Sequence, residues 1–158
     1  EGLHESTSIP NETLQRILAG VENGNKDNIY YFGLLKMYGI SVSKDLAVAA
    51  SHFLRASNLG HMEGTTAYGV MLLTGNGVKK DLKGALKMFR KGVELGDMNA
   101  HWLLGKMLME GKGVPEPAYA EAAAMLRVAV EANVPQALHS MALMYEYGHG
   151  VQQSFEEA

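Results

Sequence analysis

The six histidines are the side chains of this sequence best suited to chemistry, because imidazole binds metals and exchanges protons near neutral pH. They are His4, His52, His61, His101, His139 and His149. None forms a His-x-x-x-His pair with a carboxylate between, and a metal site needs several ligands that converge. The absence of cysteine also removes thiolate ligands and nucleophiles. We therefore interpret the histidines as surface or packing residues.

Three further patterns could suggest catalysis or phosphate binding. Residues 75–80 read Gly-Asn-Gly-Val-Lys-Lys, but a phosphate loop joins a strand to a helix. These glycines are predicted to join two helices, and the related turns lack the lysine pair. Ser51 and His52 have no orienting partner identifiable from sequence, and Glu156 and Glu157 lie at the chain end. We predict a protein that is not an enzyme and uses no cofactor; an enzyme or metal protein is the least favoured alternative.

A Gly-x-Gly-Val motif divides the chain into similar units. It occurs at residues 75–78, 111–114 and 148–151, so that its first glycines, Gly75, Gly111 and Gly148, stand 36 and 37 residues apart. A weaker copy, Gly39-Ile-Ser-Val, lies 36 residues before the first. A period of this length is typical of stacked repeats rather than of one globular core.

Apolar residues recur at helical spacing between these motifs. The pattern predicts helices at residues 12–23, 28–38, 45–59, 64–74, 81–95, 100–110 and 136–147. It also predicts a helix that follows the turn at 111–114 and ends near residue 132. The whole chain, 1–158, is then a single array: a half repeat at 11–25, repeats at 26–62, 63–98 and 99–135, and a partial repeat at 136–158. Both ends divide a unit, so we expect an excerpt of a longer array. Its last helix, with Met141, Met144 and Tyr145, would need a covering segment or a second chain.

The same positions recur on one face of each first helix. In the unit from Ala100 they are Ala100, Leu104, Met107 and Leu108, and the matching position of an earlier unit holds one misfit, Lys36. A mid-helix glycine also returns, at Gly33, Gly69 and Gly105, which predicts close packing against the helix backbone because glycine there is otherwise unfavourable. Asp45 and Asp81 are predicted N-caps of second helices, as is Ser154.

With Ala-x-x-x-Leu-Gly-x-x-Leu-x-x-Gly-x-Gly-Val at residues 100–114, the chain resembles the Sel1-like repeat family over roughly residues 13–158. Tetratricopeptide units are typically 34 residues long and lack this turn. The departures are Lys36, Ser41, Pro117 and Asn133. The resemblance implies an all-α fold, an α/α superhelix or solenoid of antiparallel helix pairs with a concave surface, and a role as adaptor or scaffold.

A second stripe lies opposite the predicted buried face of the first helices and is mostly apolar, although a solvated stripe should be polar. Its residues are Tyr30, Leu34, Met37, Thr66, Val70, Leu73, Trp102, Lys106, Met109, His139, Leu143 and Glu146. We predict that this first-helix stripe binds a protein or peptide partner, with Trp102 as anchor and with Lys106 and Glu146 setting orientation. The alternative is that neighbouring first helices bury part of the stripe against each other.

Composition sets further bounds on function. The formal net charge of −3 argues against a nucleic-acid partner. No apolar run reaches 18 residues, so no membrane insertion is predicted and the segment is expected to be soluble. The compartment stays open between cytoplasm and ER lumen. The alternative function is self-association, as a homo-oligomer formed through the open end or the outer second helices.

Overall fold

The computed structural model describes residues 8–150, which form eight helices and no strand. The helices are α1 (Asn11–Glu22), α2 (Lys26–Tyr38), α3 (Leu46–Asn58), α4 (Met62–Thr74), α5 (Leu82–Glu94), α6 (Met98–Glu110), α7 (Tyr119–Glu131) and α8 (Pro135–Tyr147). Their ends differ from the predicted ones by no more than about two residues. The predicted cap at Ser154, His4 and the two glutamates at 156 and 157 lie outside the described residues.

The chain divides into an N-terminal unit, Glu1–Lys80, and a C-terminal unit, Asp81–Ala158. The N-terminal unit contains α1 to α4 and the C-terminal unit contains α5 to α8. Within each unit, every helix packs against the next one along the chain. Short connections of this kind produce antiparallel helix pairs.

The pair α2 and α3 shows why a glycine is needed in mid-helix. The Asp45 N–H donates to the Lys36 carbonyl at 2.8 Å, which joins the end of α2 to the start of α3. Further along, a Cβ atom added at Gly33 would lie 2.6 Å from Cε1 of Phe53, whose side chain is fully buried. The predicted close approach at Gly33 is therefore confirmed.

The same arrangement recurs between α6 and α7 of the C-terminal unit. The Ala118 N–H donates to the Leu108 carbonyl at 2.9 Å. A Cβ atom at Gly105 would lie 2.8 Å from Cγ of Leu126 and 3.2 Å from the carbonyl oxygen of Ala122. The small residue on one helix thus accommodates the large residue on the other.

The predicted buried face is confirmed in α6, where all four residues are buried: Ala100, Leu104, Met107 and Leu108. Lys36, the misfit in α2, is half-buried. Its Nζ donates to the Ser43 carbonyl at 3.4 Å and lies 5.8 Å from the centre of the Phe32 ring. The lysine stem is therefore buried while its charged end reaches the turn, as long basic side chains commonly do.

The second glycine of each Gly-x-Gly-Val turn contacts the second helix of the preceding repeat. A Cβ atom at Gly77 would lie 2.2 Å from the carbonyl oxygen of Leu46, and one at Gly113 would lie 2.8 Å from that of Leu82. Both glycines have positive φ, 70° and 75°. Ser41 takes the same conformation at φ 57°, and its Oγ accepts a hydrogen bond from the Ile9 N–H at 2.8 Å. The turns of Gly77 and Gly113 therefore pack directly on the start of the preceding second helix.

The two aspartate caps predicted from the sequence are both confirmed. The Asp45 side chain accepts from the Val48 N–H at 3.0 Å, and Asp81 accepts from the Gly84 N–H at 2.9 Å. The start of α7 differs, because its N-cap is Ala118 and no side chain accepts a hydrogen bond there. At the end of the same helix, Asn133 replaces the closing glycine at φ 61°.

We expect Gly105→Ala to lower the free energy of unfolding by about 1–3 kcal/mol, because the new methyl group would overlap Leu126. Urea denaturation followed by circular dichroism measures this change. In a Leu126→Ala background, which removes the overlapping atoms, the same substitution should cost much less. A stabilising effect of Gly105→Ala in the native background would contradict the close packing of α6 on α7.

We expect Asp45→Ala to destabilise the protein by about 1 kcal/mol, because the Val48 N–H loses its acceptor. Asp45→Asn is the matched control, since asparagine caps helices about as well as aspartate and should retain nearly full stability. Thermal unfolding of the two variants and of the parent chain distinguishes these outcomes. Equal losses for both substitutions would show that charge, rather than capping, is what Asp45 contributes.

Candidate functional site

In the N-terminal unit, the first-helix stripe lies partly against the core. Tyr30, Leu34 and Met37 of α2 are half-buried and pack against the cluster of Ala49, Ala50, Phe53 and Met71. On α4, Val70 and Leu73 are half-buried, whereas Thr66 is only 7% exposed. The stripe therefore retains partial exposure at five of its six positions in this unit.

Tyr30 is held by its neighbours more firmly than the other stripe residues. Its ring stacks on His61 at 4.5 Å between centroids and lies 5.7 Å from the ring of Phe53. His61 is itself buried, and its Nδ1 accepts a hydrogen bond from the Gly64 N–H at 3.0 Å. Tyr30 is thus partly covered by His61, which caps the first helix α4, and by Phe53 of the second helix α3, whereas the alternative named only neighbouring first helices.

In the C-terminal unit, Trp102 joins the first helices of successive repeats. Its Nε1–H donates to the hydroxyl oxygen of Ser140 on α8 at 3.4 Å. Lys106, one turn further along α6, places its Nζ 5.9 Å from the centre of the indole ring. The ring is half-buried, so one part packs within the unit and another part meets solvent.

The other stripe residues of this unit divide by polarity. Met109 and Leu143 are half-buried, whereas Lys106, His139 and Glu146 are exposed. The apolar side chains of the stripe are therefore less exposed to solvent than the polar ones. This surface combines apolar side chains that are partly buried, as in the alternative, with exposed polar ones, and partner binding by the stripe stays a prediction.

Three histidines, His52, His61 and His101, contact backbone groups near the starts of helices. Besides the cap formed by His61, Nδ1 of His101 lies 2.8 Å from the carbonyl oxygen of Asp97. His52 lies 2.9 Å from the Val48 carbonyl in the same way, through Nδ1. The ring of His149 stacks on Tyr119 at 4.3 Å. Within residues 8–150, no three histidine, aspartate or glutamate side chains are grouped so that they could hold a metal ion.

One ion pair between second helices stands out in the C-terminal unit. Arg90 of α5 donates from Nη1 to Oε1 of Glu121 on α7, and from Nη2 to Oε2 at 3.3 Å. The hydrogen bond to Glu121 and the attraction between the two charges raise the pKa of Arg90, while burial opposes the rise. Both side chains are about two-fifths exposed, at 44% and 40%, so this pair contributes little to stability.

Two surfaces were not singled out in the sequence. The first is a groove of about 300 Å³ between α7 and α8, where Leu138 is 57% exposed. Met141 and Met144 are buried, at 7% and 0% exposure, and Tyr145 is half-buried; that this end of the chain needs a covering segment or a second chain stays a prediction. The second is a basic face on α5. Its lysines at four-residue spacing were visible in the sequence and were the signal that could have identified it.

No helix in the described part of the chain is both long enough and apolar enough to cross a bilayer.

A comparison of the sequence with curated proteins finds no match. Among solved structures, the chain is similar to a protective antigen of uropathogenic Escherichia coli that displays an SLR fold. The two share 29% identity at a TM-score of 0.85, over 90% of this chain and 30% of the antigen.

Two further structures are similar. A Sel1 repeat protein from Oxalobacter formigenes shares 25% identity at a TM-score of 0.81, over 90% of this chain and 58% of that protein. Cysteine rich protein B of Helicobacter pylori shares 30% identity at a TM-score of 0.56, over 58% of this chain and 70% of its own. The chain thus spans less than two thirds of the E. coli and O. formigenes proteins.

The sequence profile of the Sel1 repeat matches four times, at residues 29–61, 63–97, 99–134 and 135–158. These matches cover most of the chain and agree with the helices observed at residues 8–150. The predicted all-α fold of the Sel1-like repeat class is therefore confirmed. The chain belongs to the Sel1 repeat family.

Proposed function

We propose that the first helices of the repeats bind a segment of a polypeptide partner and that the protein acts as a scaffold without catalysis of its own. Sel1 repeat proteins are generally interaction scaffolds. The observation that most supports this role here is the setting of Trp102. Its ring is half-buried, tied to Ser140 and flanked by Lys106. Tryptophan is among the residues that most often dominate binding energy at protein interfaces.

In the C-terminal unit, the proposed surface has an apolar centre and a polar border. Trp102, Met109 and Leu143 provide apolar contact, and the exposed Lys106 and Glu146 orient the partner. This composition is typical of protein interfaces, which combine a desolvated core with a polar rim. The hydrogen bond to Ser140 restricts the indole ring before binding, so less rotational freedom is lost when a partner covers it.

In the N-terminal unit, the proposed surface carries no charged residue and is mostly apolar. Four of its stripe residues are half-buried and aliphatic or thioether: Leu34, Met37, Val70 and Leu73. Tyr30 and Thr66 would contribute less, because Tyr30 is stacked on His61 and Thr66 is 7% exposed. With no charged residue among them, these side chains favour an apolar segment of the partner and add little orientation.

A peptide selected from a displayed library on the intact chain provides the ligand for a test. We expect Trp102→Ala to weaken its binding about thirtyfold, because truncation of an aromatic anchor costs about 2 kcal/mol. Fluorescence anisotropy with a labelled peptide measures the change. Ser140→Ala, which frees the indole N–H and leaves the ring in place, should cause a smaller loss.

The control variant for this test is Leu59→Ala, because Leu59 is 47% exposed and lies outside the first-helix stripe. It should bind the peptide as the parent chain does. Unchanged affinity of Trp102→Ala, with helix content intact by circular dichroism, would contradict the proposal.

Self-association is a second candidate function, and the groove between α7 and α8 favours it. Leu138 is 57% exposed there, although the equivalent residue in α6, His101, is 8% exposed. Arg127 and Glu131 line the same groove one helical turn apart. In a two-fold symmetric dimer, Arg127 of one copy would face Glu131 of the other, twice across the interface.

We expect Leu138→Lys to abolish any concentration-dependent dimer, because it places a charge in the apolar centre of this groove. Light scattering over a concentration series measures the mass in solution. Leu59→Lys introduces the same charge at another exposed leucine and should leave association unchanged. A parent chain that stays monomeric at every concentration would exclude self-association.

A further inference from the structure

The helix α5 carries a basic face that differs from the first-helix stripe. We define the basic face by four residues: Lys83, Lys87, Arg90 and Lys91. Together with Leu86 and Glu94, they line an open groove of about 560 Å³. Leu86 is half-buried and gives the same groove an apolar residue beside the basic ones.

The charges of this face are only partly compensated within the protein. Arg90 is paired with Glu121 of α7. Lys83 and Lys87 are exposed, and neither forms an ion pair within the part of the chain that the structure describes. They stand four residues apart, where like charges destabilise a helix. The chain as a whole carries a net charge of −3, so this face opposes the overall sign.

The other second helices provide an internal comparison. At the positions of Lys83 and Lys87, α3 has Ala47 and Ser51, and α7 has alanine at both. All three helices are 13 residues long. Helices of this repeat therefore form without a lysine at either position, and packing does not explain why α5 has both.

We propose that the basic face of α5 binds an acidic segment of a polypeptide partner. Residues four apart on a helix are separated by about 6 Å along its axis, which sets the spacing of the two carboxylates that would pair with Lys83 and Lys87. Leu86 receives an apolar side chain of the same segment. This site lies on a second helix and does not depend on the first-helix surface proposed above.

The size of the basic face favours a polypeptide over other anionic partners. Binding to a nucleic acid backbone depends on neutralising many phosphates in a row, and a membrane surface attracts clusters of several basic residues. Here two lysines form no ion pair with any residue between 8 and 150, and an apolar residue lies next to them. Two carboxylates with one apolar side chain match that arrangement.

The test compares two helical peptides that differ only in charge, one with a Glu-Leu-x-x-Glu core and one with glutamine at both glutamate positions. Fluorescence anisotropy with the intact chain should show tighter binding of the glutamate peptide and a loss of affinity as salt is raised. The double variant Lys83→Ala/Lys87→Ala should bind the glutamate peptide about fivefold more weakly, since exposed ion pairs are weak. This double variant introduces alanine, the residue that α7 has at both positions, so the fold should be retained.

The matched control is Lys26→Ala/Lys44→Ala, which removes two exposed lysines of the N-terminal unit and changes the net charge equally. It should bind the glutamate peptide as the parent chain does. Equal losses for the two double variants would overturn the proposal, because they would indicate general attraction rather than a site. Failure of the parent chain to prefer the glutamate peptide would also overturn it. The proposal would also be overturned if the chain bound phosphatidylserine vesicles or a single-stranded RNA oligonucleotide more tightly than the glutamate peptide, and if that binding were weakened by Lys83→Ala/Lys87→Ala.

Discussion

Close contact at glycine is the constraint on which the rest of this structure depends. Inside a repeat, the missing side chain at Gly33 or Gly105 lets the first helix approach the large residue of the second helix. Between repeats, Gly77 and Gly113 bring a turn against the first carbonyl of the preceding second helix. A methyl group at any of these positions would overlap its neighbour. The glycines therefore permit the close approach of the two helices within the pairs α2/α3 and α6/α7, and that of each turn to the preceding second helix.

This packing uses most of the polar groups that would otherwise offer chemistry. Asp45 and Asp81 cap helices, and His61 does the same with a ring nitrogen. His52 and His101 direct Nδ1 at backbone carbonyls of their own helices. What remains for recognition is surface: half-buried apolar side chains on the first helices and separate charges on the second helices. Both proposed sites are of this kind, since binding in each case relies on contact area and charge rather than on a reactive group.

Features that recur in several repeats were predictable from the sequence, because each copy supports the interpretation of the others. The helices, the turn glycines, the aspartate caps and the tight position at Gly105 belong to this class. The degree of exposure along the first-helix stripe was not predictable, since it depends on side chains that are distant in sequence, such as Trp102 and Ser140. Local substitutions were also unpredictable in outcome: Ser41 keeps the conformation of a glycine, whereas Ala118 starts α7 with no side-chain cap. Sequence periodicity identifies a face, but packing decides how much of it is exposed.

The indole of Trp102 has one further consequence, which is optical. It is the single tryptophan among these 158 residues, so their tryptophan emission arises from one known place, where α6 contacts α8. The wavelength of that emission depends on how much water surrounds the ring, and the ring here is half-buried. Unlabelled protein thus carries a spectroscopic probe of this joint. A red shift would report opening of the contact with Ser140, and a blue shift would report a ligand covering the ring.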